Sequence, residues 1–385
     1  MQAVIIAAGE GKRLRPLTRN RPKALLPVAN NPIIDYPIQA LSGCGVRDII
    51  VVVGYRKDHV IRYLDRLDIP VQIVEQKKQL GTANALSCAE PLIKEDFLIV
   101  PGDNYINQGS IAKILNKKNA VLVKEHPYPS NFGVVLMKGG EVSCILEKPE
   151  RAPSFTVSTG IFSLPCEFLS QLTSNDLTDS INEMIKQGGH LSAVTADDWQ
   201  DAVYPWDLLA LNVKTLSMII PQKSGIITSD ARISGAVRIG RGSTIGPFTT
   251  ITGPVVIGEN AVIGSHCCIG PNVSIGARVK LEPFTMLQNA LLMNDAAIGS
   301  HSQVTEAVIG EGSVLGDHTT IAPGVPMLEI EDTLIRGRFG CVLGDHVRSD
   351  PFCIYQGAIV GNNSRIRGGK MISGLEAFQD GVLVV

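Results

Sequence analysis

The chain has 385 residues, 44% hydrophobic and 19% charged, with a formal net charge of −2. That composition is globular and long enough for two cores. The near-neutral balance offers no basic face to a nucleic-acid backbone and no polybasic cluster to a membrane surface, so neither partner is expected.

The first half alternates short apolar runs with amphipathic stretches. Val4–Ala8, Ile49–Val53, Val71–Val74 and Phe97–Val100 read as buried parallel strands, with helices over Ile33–Ser42 and Ala83–Ala89. That alternation predicts an α/β sheet covered on both faces, with the ligand crevice beyond the C-terminal strand ends. A helix after Pro205-Trp206-Asp207 is expected to close this domain at about residue 220.

From residue 227 an aliphatic residue recurs every six positions, from Ile227 through Ile257 and Leu287 to Met293. Glycine follows it at 240, 246, 258, 264, 270 and 276, and is expected to permit a tight corner. A period of six predicts stacked coils with the aliphatic residue inward, each unstable alone. The pattern resumes at Ile298, breaks over Val325–Ile335 and returns through Ile354, Val360 and Ile366. The expected architecture is an α/β Rossmann-like domain over 1–220, a left-handed parallel β-helix over 222–370, and a tail over 371–385.

The eight cysteines form no Cys-x-x-Cys pair, which argues against zinc. Met1–Ala8 lacks a cationic leader region, and no apolar run reaches membrane-spanning length. A reducing cytoplasm with free thiols is the expected setting.

Ala7-Ala8-Gly9-Glu10-Gly11-Lys12-Arg13-Leu14, then Arg21-Pro22-Lys23, is the most informative segment. Glycines after a buried strand let backbone N–H groups approach an anion, and Arg13 and Lys23 add charge-assisted bonds to phosphate. Taken alone, Gly-x-Gly is equally a tight turn among solvated basic residues. Leu14 stands where a dinucleotide fingerprint has its third glycine, and the spacing is too short for a P-loop.

The whole string resembles the opening of the nucleoside-diphosphate-sugar pyrophosphorylases, with Lys12 where that family usually has Thr. The resemblance continues through Gln76 and Leu80-Gly81-Thr82-Ala83, Gly102-Asp103-Asn104, Phe132-Gly133-Val134-Val135, Glu147-Lys148-Pro149, Ser158-Thr159-Gly160-Ile161, and Trp199 with Asp201 before Pro205-Trp206. It implies that a sugar 1-phosphate attacks the α-phosphorus of a nucleoside triphosphate and pyrophosphate leaves. With no covalent intermediate, positioning and charge neutralisation dominate. By resemblance Arg13 holds the triphosphate and Lys23 neutralises the attacking phosphate. Ala8, Gly9, Gly11, Gln76, Gly81 and Thr82 form the nucleotide site. Gly133, Glu147, Lys148 and Thr159 bind the sugar phosphate, and Asp103 and Asp201 hold Mg²⁺. Guanylyltransferases of the family more often carry Glu near Gln76, so UTP or dTTP is expected over GTP.

A pyrophosphorylase followed by hexapeptide repeats resembles the archaeal-type branch of the bifunctional glucosamine-1-phosphate acetyltransferase/N-acetylglucosamine-1-phosphate uridylyltransferases. It also resembles mannose-1-phosphate guanylyltransferases, whose helix is not catalytic. A non-catalytic NDP-sugar-binding paralogue is the third reading. The resemblance implies a homo-oligomer, a trimer, and acetyl-CoA as co-substrate if the helix is an acetyltransferase. In that case Glu306 stands near the position of the family's histidine base. His301, His318 and His346 are the available imidazoles, and Arg338 lies in a basic segment suited to phosphate. The family's late-coil Asn is missing from Thr320-Ile321-Ala322-Pro323.

Overall fold

The computed structural model describes residues 1–331 and 333–385. They divide into two compact units. The first holds Met1–Glu10, Asn20–Leu25 and Pro32–Asp201; the second holds Gly11–Arg19, Leu26–Asn31 and Ala202–Val385.

In the first unit β1 (Gln2–Ala7), β2 (Ile49–Val53), β3 (Gln72–Glu75) and β4 (Phe97–Pro101) run parallel in the order β3-β2-β1-β4. Every residue of β2 is buried, as a central parallel strand with both faces covered requires. The connections carry α1 (Asp35–Gly43), α2 (Lys57–Leu64) and α3 (Thr82–Ala89).

Beyond β4 the sheet becomes mixed, which the apolar runs alone did not indicate. β5 (Asn104–Ile106) leaves the sheet and α4 (Gln108–Leu115) follows, its cap Asn107 accepting from the Ser110 N–H at 3.0 Å. Then come β6 (Ala120–Glu125), β7 (Gly133–Lys138), β8 (Glu141–Glu147), β9 (Thr156–Leu164), α5 (Leu177–Lys186) and β10 (Ser192–Thr195). They extend the sheet in the order β4-β9-β6-β10-β8-β7, with β9 antiparallel to both β4 and β6. α5 buries Leu177, Ile181 and Met184, a single stripe at helical spacing. Outside the sheet, β11 (Trp199–Asp201) pairs antiparallel with β5 and sets Asp201 opposite Asn104.

The second unit is built from short parallel strands. Ile227 pairs with Ile245 and Ile245 with Ile263, a step of three hexads. Val237, Val255 and Val273 do the same in another sheet. The inward residues form one aliphatic column from Val237 to Ile372. Helix α6 (Asp207–Leu216), expected to close the first domain, clusters with this second unit. Its Asn212 accepts from the buried Ser274 hydroxyl at 2.6 Å and from the Ala29 N–H at 2.9 Å.

Three expectations for the repeats change. The spacing of six ends at Leu287, because Ile275 pairs with Leu292, not Met293; that rung is one residue short, and Leu292 joins the column. Further on, Tyr355 takes the inward place that Ile354 was expected to fill, since strand alternation turns Ile354 outward. The glycines after the aliphatic residues serve close stacking rather than corners, save Gly270, whose φ of 104° favours glycine. A Cβ at Gly240 would lie 2.6 Å from the Gly258 carbonyl carbon, and one at Gly246 2.8 Å from that of Gly264. The left-handed corners fall two residues later and are held by Phe248, Asn260, His266, Arg278 and their equivalents.

The interruption at 325–335 is a hairpin, Met327–Ile330 paired antiparallel with Thr333–Arg336. Residues 371–385, expected as a tail, add strands Met371–Ala377 and Leu383–Val384 to the sheets.

Candidate active site

β1 ends at Ala7, and the buried Ala8 accepts the Tyr55 N–H through its carbonyl at 3.0 Å. Gly9 follows with open space around it and lines a cavity of about 360 Å³ at the strand ends of the first unit. Asp103, Asn104, Phe132, Glu147, Trp199 and Asp201 line the same cavity.

Lys23 lies deep at this site. Its Nζ is 2.7 Å from Asp201 Oδ1 and 3.0 Å from Asp103 Oδ2. Burial by itself lowers the affinity of the ammonium for its proton. The two carboxylates outweigh burial and hold the group above its ordinary range. Asp103 follows β4, Asp201 ends β11, and the β5–β11 pairing brings the two together.

Asp103 and Asp201 converge on the Lys23 ammonium, and a pair of carboxylates at one place is a donor set that suits a hard divalent cation. Among the described residues no group of three or more His, Cys, Asp or Glu side chains forms a fuller cage. Such a pair fits Mg²⁺, which keeps waters and takes substrate phosphates as its other ligands.

The residues that the resemblance assigns to the base are held by a tight loop. Gly81 has φ 146°, and a Cβ there would lie 2.2 Å from the Asn175 carbonyl oxygen. Thr82 begins α3 and accepts the Leu177 N–H on its hydroxyl at 3.0 Å. Gln76 is buried and donates from Nε2 to the Gly81 carbonyl at 3.0 Å and to Asn84 Oδ1 at 2.9 Å. Both its donors are thereby committed, which leaves Oε1 as its remaining polar atom.

Gly133 is crowded from both sides: a Cβ would meet Ile145 at 3.0 Å and Glu147 Oε2 at 3.3 Å. Glu147 pairs with Lys148 at 3.0 Å, and Lys148 has a left-handed backbone, φ 40°. Thr159 is buried and its hydroxyl donates to the Leu122 carbonyl at 3.0 Å, so that side chain is used by the fold.

Sequence reasoning passed over two wall residues. Asn104 Oδ1 and Trp199 Nε1 are buried without a hydrogen-bond partner among the described residues, and both side chains line the cavity. A buried donor and acceptor left unmade is costly, and a polar ligand would satisfy them. Both lie inside quoted motifs, so the signal was present without a role attached.

Arg13 belongs to the second unit. Gly11, at φ 68° and ψ 48°, starts the short turn Lys12–Leu14 that carries it, and the Thr18 hydroxyl donates to the Gly11 carbonyl at 2.8 Å. Arg13 Nε lies 3.1 Å from Glu331 Oε2.

The residues singled out for acetyl transfer fall on different corners. His301 and His318 stack on each other at 5.0 Å, in an exposed file of rings running Phe248, His266, Phe284, His301, His318 and Phe352. Glu306 occupies a left-handed position within the strand Gln303–Ile309 and pairs with Arg338 at 3.1 Å. His346 stands at a third corner, against Gly312.

A cationic, carboxylate-flanked crevice beyond parallel strand ends is the mark of enzymes that transfer phosphorylated groups. Residues 2–217 match the nucleotidyl transferase family, and the chain belongs to it. Residues 251–375 match the GMPPB C-terminal domain. The bifunctional protein GlmU of Methanococcus maripaludis is 37% identical, over 97% of this chain and 94% of its own length. A bifunctional sugar-1-phosphate nucleotidylyltransferase/acetyltransferase of Sulfurisphaera tokodaii is 30% identical over 97% of each. The UTP–glucose-1-phosphate uridylyltransferase AglF of Haloferax volcanii is 34% identical over 54% of this chain and 93% of its own. A UDP-glucose pyrophosphorylase from Acinetobacter baumanii shares the fold over 55% of this chain and 92% of its own, with a TM-score of 0.50 at 22% identity. The chain is a transferase, a sugar-1-phosphate nucleotidylyltransferase. No helix among the described residues is long and apolar enough to cross a membrane.

Proposed function

We propose that the chain joins UTP or dTTP to a sugar 1-phosphate, releasing pyrophosphate. The observation that carries this reading is the convergence of Asp103 and Asp201 on Lys23 beside the cavity that Asn104 and Trp199 line. Lys23 neutralises the attacking sugar phosphate, Arg13 the triphosphate, and the fixed charges lower the cost of bringing two anions together. Asp103 and Asp201 hold Mg²⁺, which when bound polarises phosphate oxygens. Gln76 Oε1 accepts the N3–H of a pyrimidine. Asn104 Oδ1 and Trp199 Nε1 read sugar hydroxyls or their substituents, and Glu147 and Lys148 close the sugar-phosphate end. A pyrophosphate-release assay over a panel of nucleoside triphosphates and sugar 1-phosphates tests the reading. No release with any pair would leave an NDP-sugar-binding protein. Preference for GTP with mannose 1-phosphate would favour the guanylyltransferase reading.

The repeats of the second unit are read as a left-handed β-helix that assembles a trimer, and eight unpaired thiols suit a reducing cytoplasm. A second activity, acetyl transfer from acetyl-CoA to an amino-sugar phosphate, is favoured by the printed names of the full-length relatives and by the Glu306–Arg338 pair. An attacking amine must lose a proton, and Glu306 is the base this reading requires. Free-thiol release from acetyl-CoA with glucosamine 1-phosphate tests it. Turnover lost in Glu306→Gln supports the carboxylate; turnover lost only in His301→Ala or His318→Ala moves the base to the ring file.

A further inference from the structure

The hairpin Met327–Ile330/Thr333–Arg336 interrupts the rungs between strands Thr320–Ala322 and Cys341–Leu343. Its stem is firmly anchored. Leu328 is buried, and Gly324 bridges Phe339 across the base. The buried Phe339 ring stacks on Trp206 at 4.9 Å and 3°, and Trp206 stacks on Tyr204 at 5.1 Å. A Cβ at Gly337 would lie 2.8 Å from the Trp206 ring, so the return strand passes flush against it. The turn between the strands presents Glu331 with φ 48°, and its Oε2 meets Arg13 Nε at 3.1 Å.

We propose that Glu331 is a positioning residue of the transfer reaction: it holds the Arg13 guanidinium between turnovers and yields it to the phosphates of the incoming nucleotide. The proposal rests on Arg13 being the triphosphate residue, as read above. A carboxylate and a phosphate offer a guanidinium the same kind of charged acceptor, so one displaces the other. The side chains are 32% and 43% exposed, so the pair is weak, water-accessible and readily exchanged. The ring-stacked stem keeps the carboxylate near Arg13, where its charge competes with every phosphate that binds there.

The test uses the full chain, with Mg²⁺ and UTP or dTTP, whichever the wild type turns over faster, and with pyrophosphate in the reverse direction. Glu331→Gln is expected to lower KM for the triphosphate and for pyrophosphate by roughly two- to five-fold, the span of an exposed ion pair. kcat and KM for the sugar phosphate stay unchanged. The difference from wild type shrinks in about 0.5 M NaCl, where exposed charges are screened. Glu331→Asp, which keeps the charge, restores wild-type-like values. An unchanged or raised triphosphate KM in Glu331→Gln, or a gap insensitive to salt, overturns the proposal. Calorimetric binding of Mg-UTP to Arg13→Gln separates the two levels. Weakened binding there alongside a neutral Glu331→Gln overturns only the role of Glu331. Unweakened binding overturns the reading of Arg13 and the proposal with it.

Discussion

Asp103 Oδ2 and Asp201 Oδ1 converge on one atom, the Nζ of Lys23, at 3.0 and 2.7 Å. The ammonium is the counter-charge that allows two carboxylates to stand this close in a half-buried place. Asp103→Asn is expected to lower turnover at least about 100-fold, as loss of one electrostatic group at a reacting phosphate does, while leaving the fold intact. Pyrophosphate release and circular dichroism on the same sample check both halves; near wild-type rates at saturating Mg²⁺ would remove Asp103 from the site.

Removing the lysine reverses the electrostatics. Lys23→Ala leaves the carboxylates facing each other and should destabilise the first unit by about 1.5–3 kcal/mol, the cost of an unmade charged hydrogen bond. Added Mg²⁺ should raise the melting temperature of this variant more than that of the wild type. Equal shifts in both proteins would argue against a cation between the two aspartates.

Base choice rests on Gln76. With both Nε2 hydrogens committed to Gly81 and Asn84, the side chain is left with an acceptor, the group the proposed reading sets against the base. A higher kcat/KM for UTP or dTTP than for GTP is expected. Gln76→Ala should cost the preferred triphosphate about tenfold, the loss of one hydrogen bond to substrate and its support. GTP ahead of both pyrimidines in the wild type would reverse the assignment.

The column of the second unit predicts two different failures. Ile257→Ala removes a fully buried side chain and should cost about 2–5 kcal/mol. Gly240→Ala instead forces a methyl against the Gly258 backbone at 2.6 Å, and the rungs must part to admit it. Denaturant melts of both variants check this. Light scattering on the intact chain checks the trimer, and a monomer would contradict it.

His126 packs its ring against Phe132 at 4.6 Å and near Trp199 at 6.3 Å. Burial holds its affinity for a proton below the ordinary imidazole range, against the pull of Asp201. The folded chain then binds fewer protons than the unfolded one near the free imidazole pKa of about 6.5, so this contribution is present above that pH and lost as pH falls. The melting temperature should drop between neutral pH and pH of about 5, with a shallower slope in His126→Phe. Parallel slopes would clear His126.

Much of this protein is legible in its sequence, because local patterns carry it. The all-apolar run Ile49–Val53, set among amphipathic stretches, reads as a strand covered on both faces, and the six-residue spacing from Ile227 reads as stacked coils. The motif order from Ala8 to Asp201 reads as phosphate chemistry for the same reason: glycine and lysine suit anions, and paired carboxylates suit a divalent cation. Tertiary structure decided what depends on partners far away in the chain. The slip to Leu292 and the inward turn of Tyr355 follow from which residue each rung pairs with, and a one-residue shift turns side chains from core to solvent. Gly240 and Gly246 are explained by the backbone of the next rung, 2.6 and 2.8 Å from where a Cβ would stand, because no positive φ requires glycine there. The pairing of Glu331 with Arg13 joins the hairpin to the glycine-rich turn, and spacing along the chain carries no trace of a contact that folding alone creates.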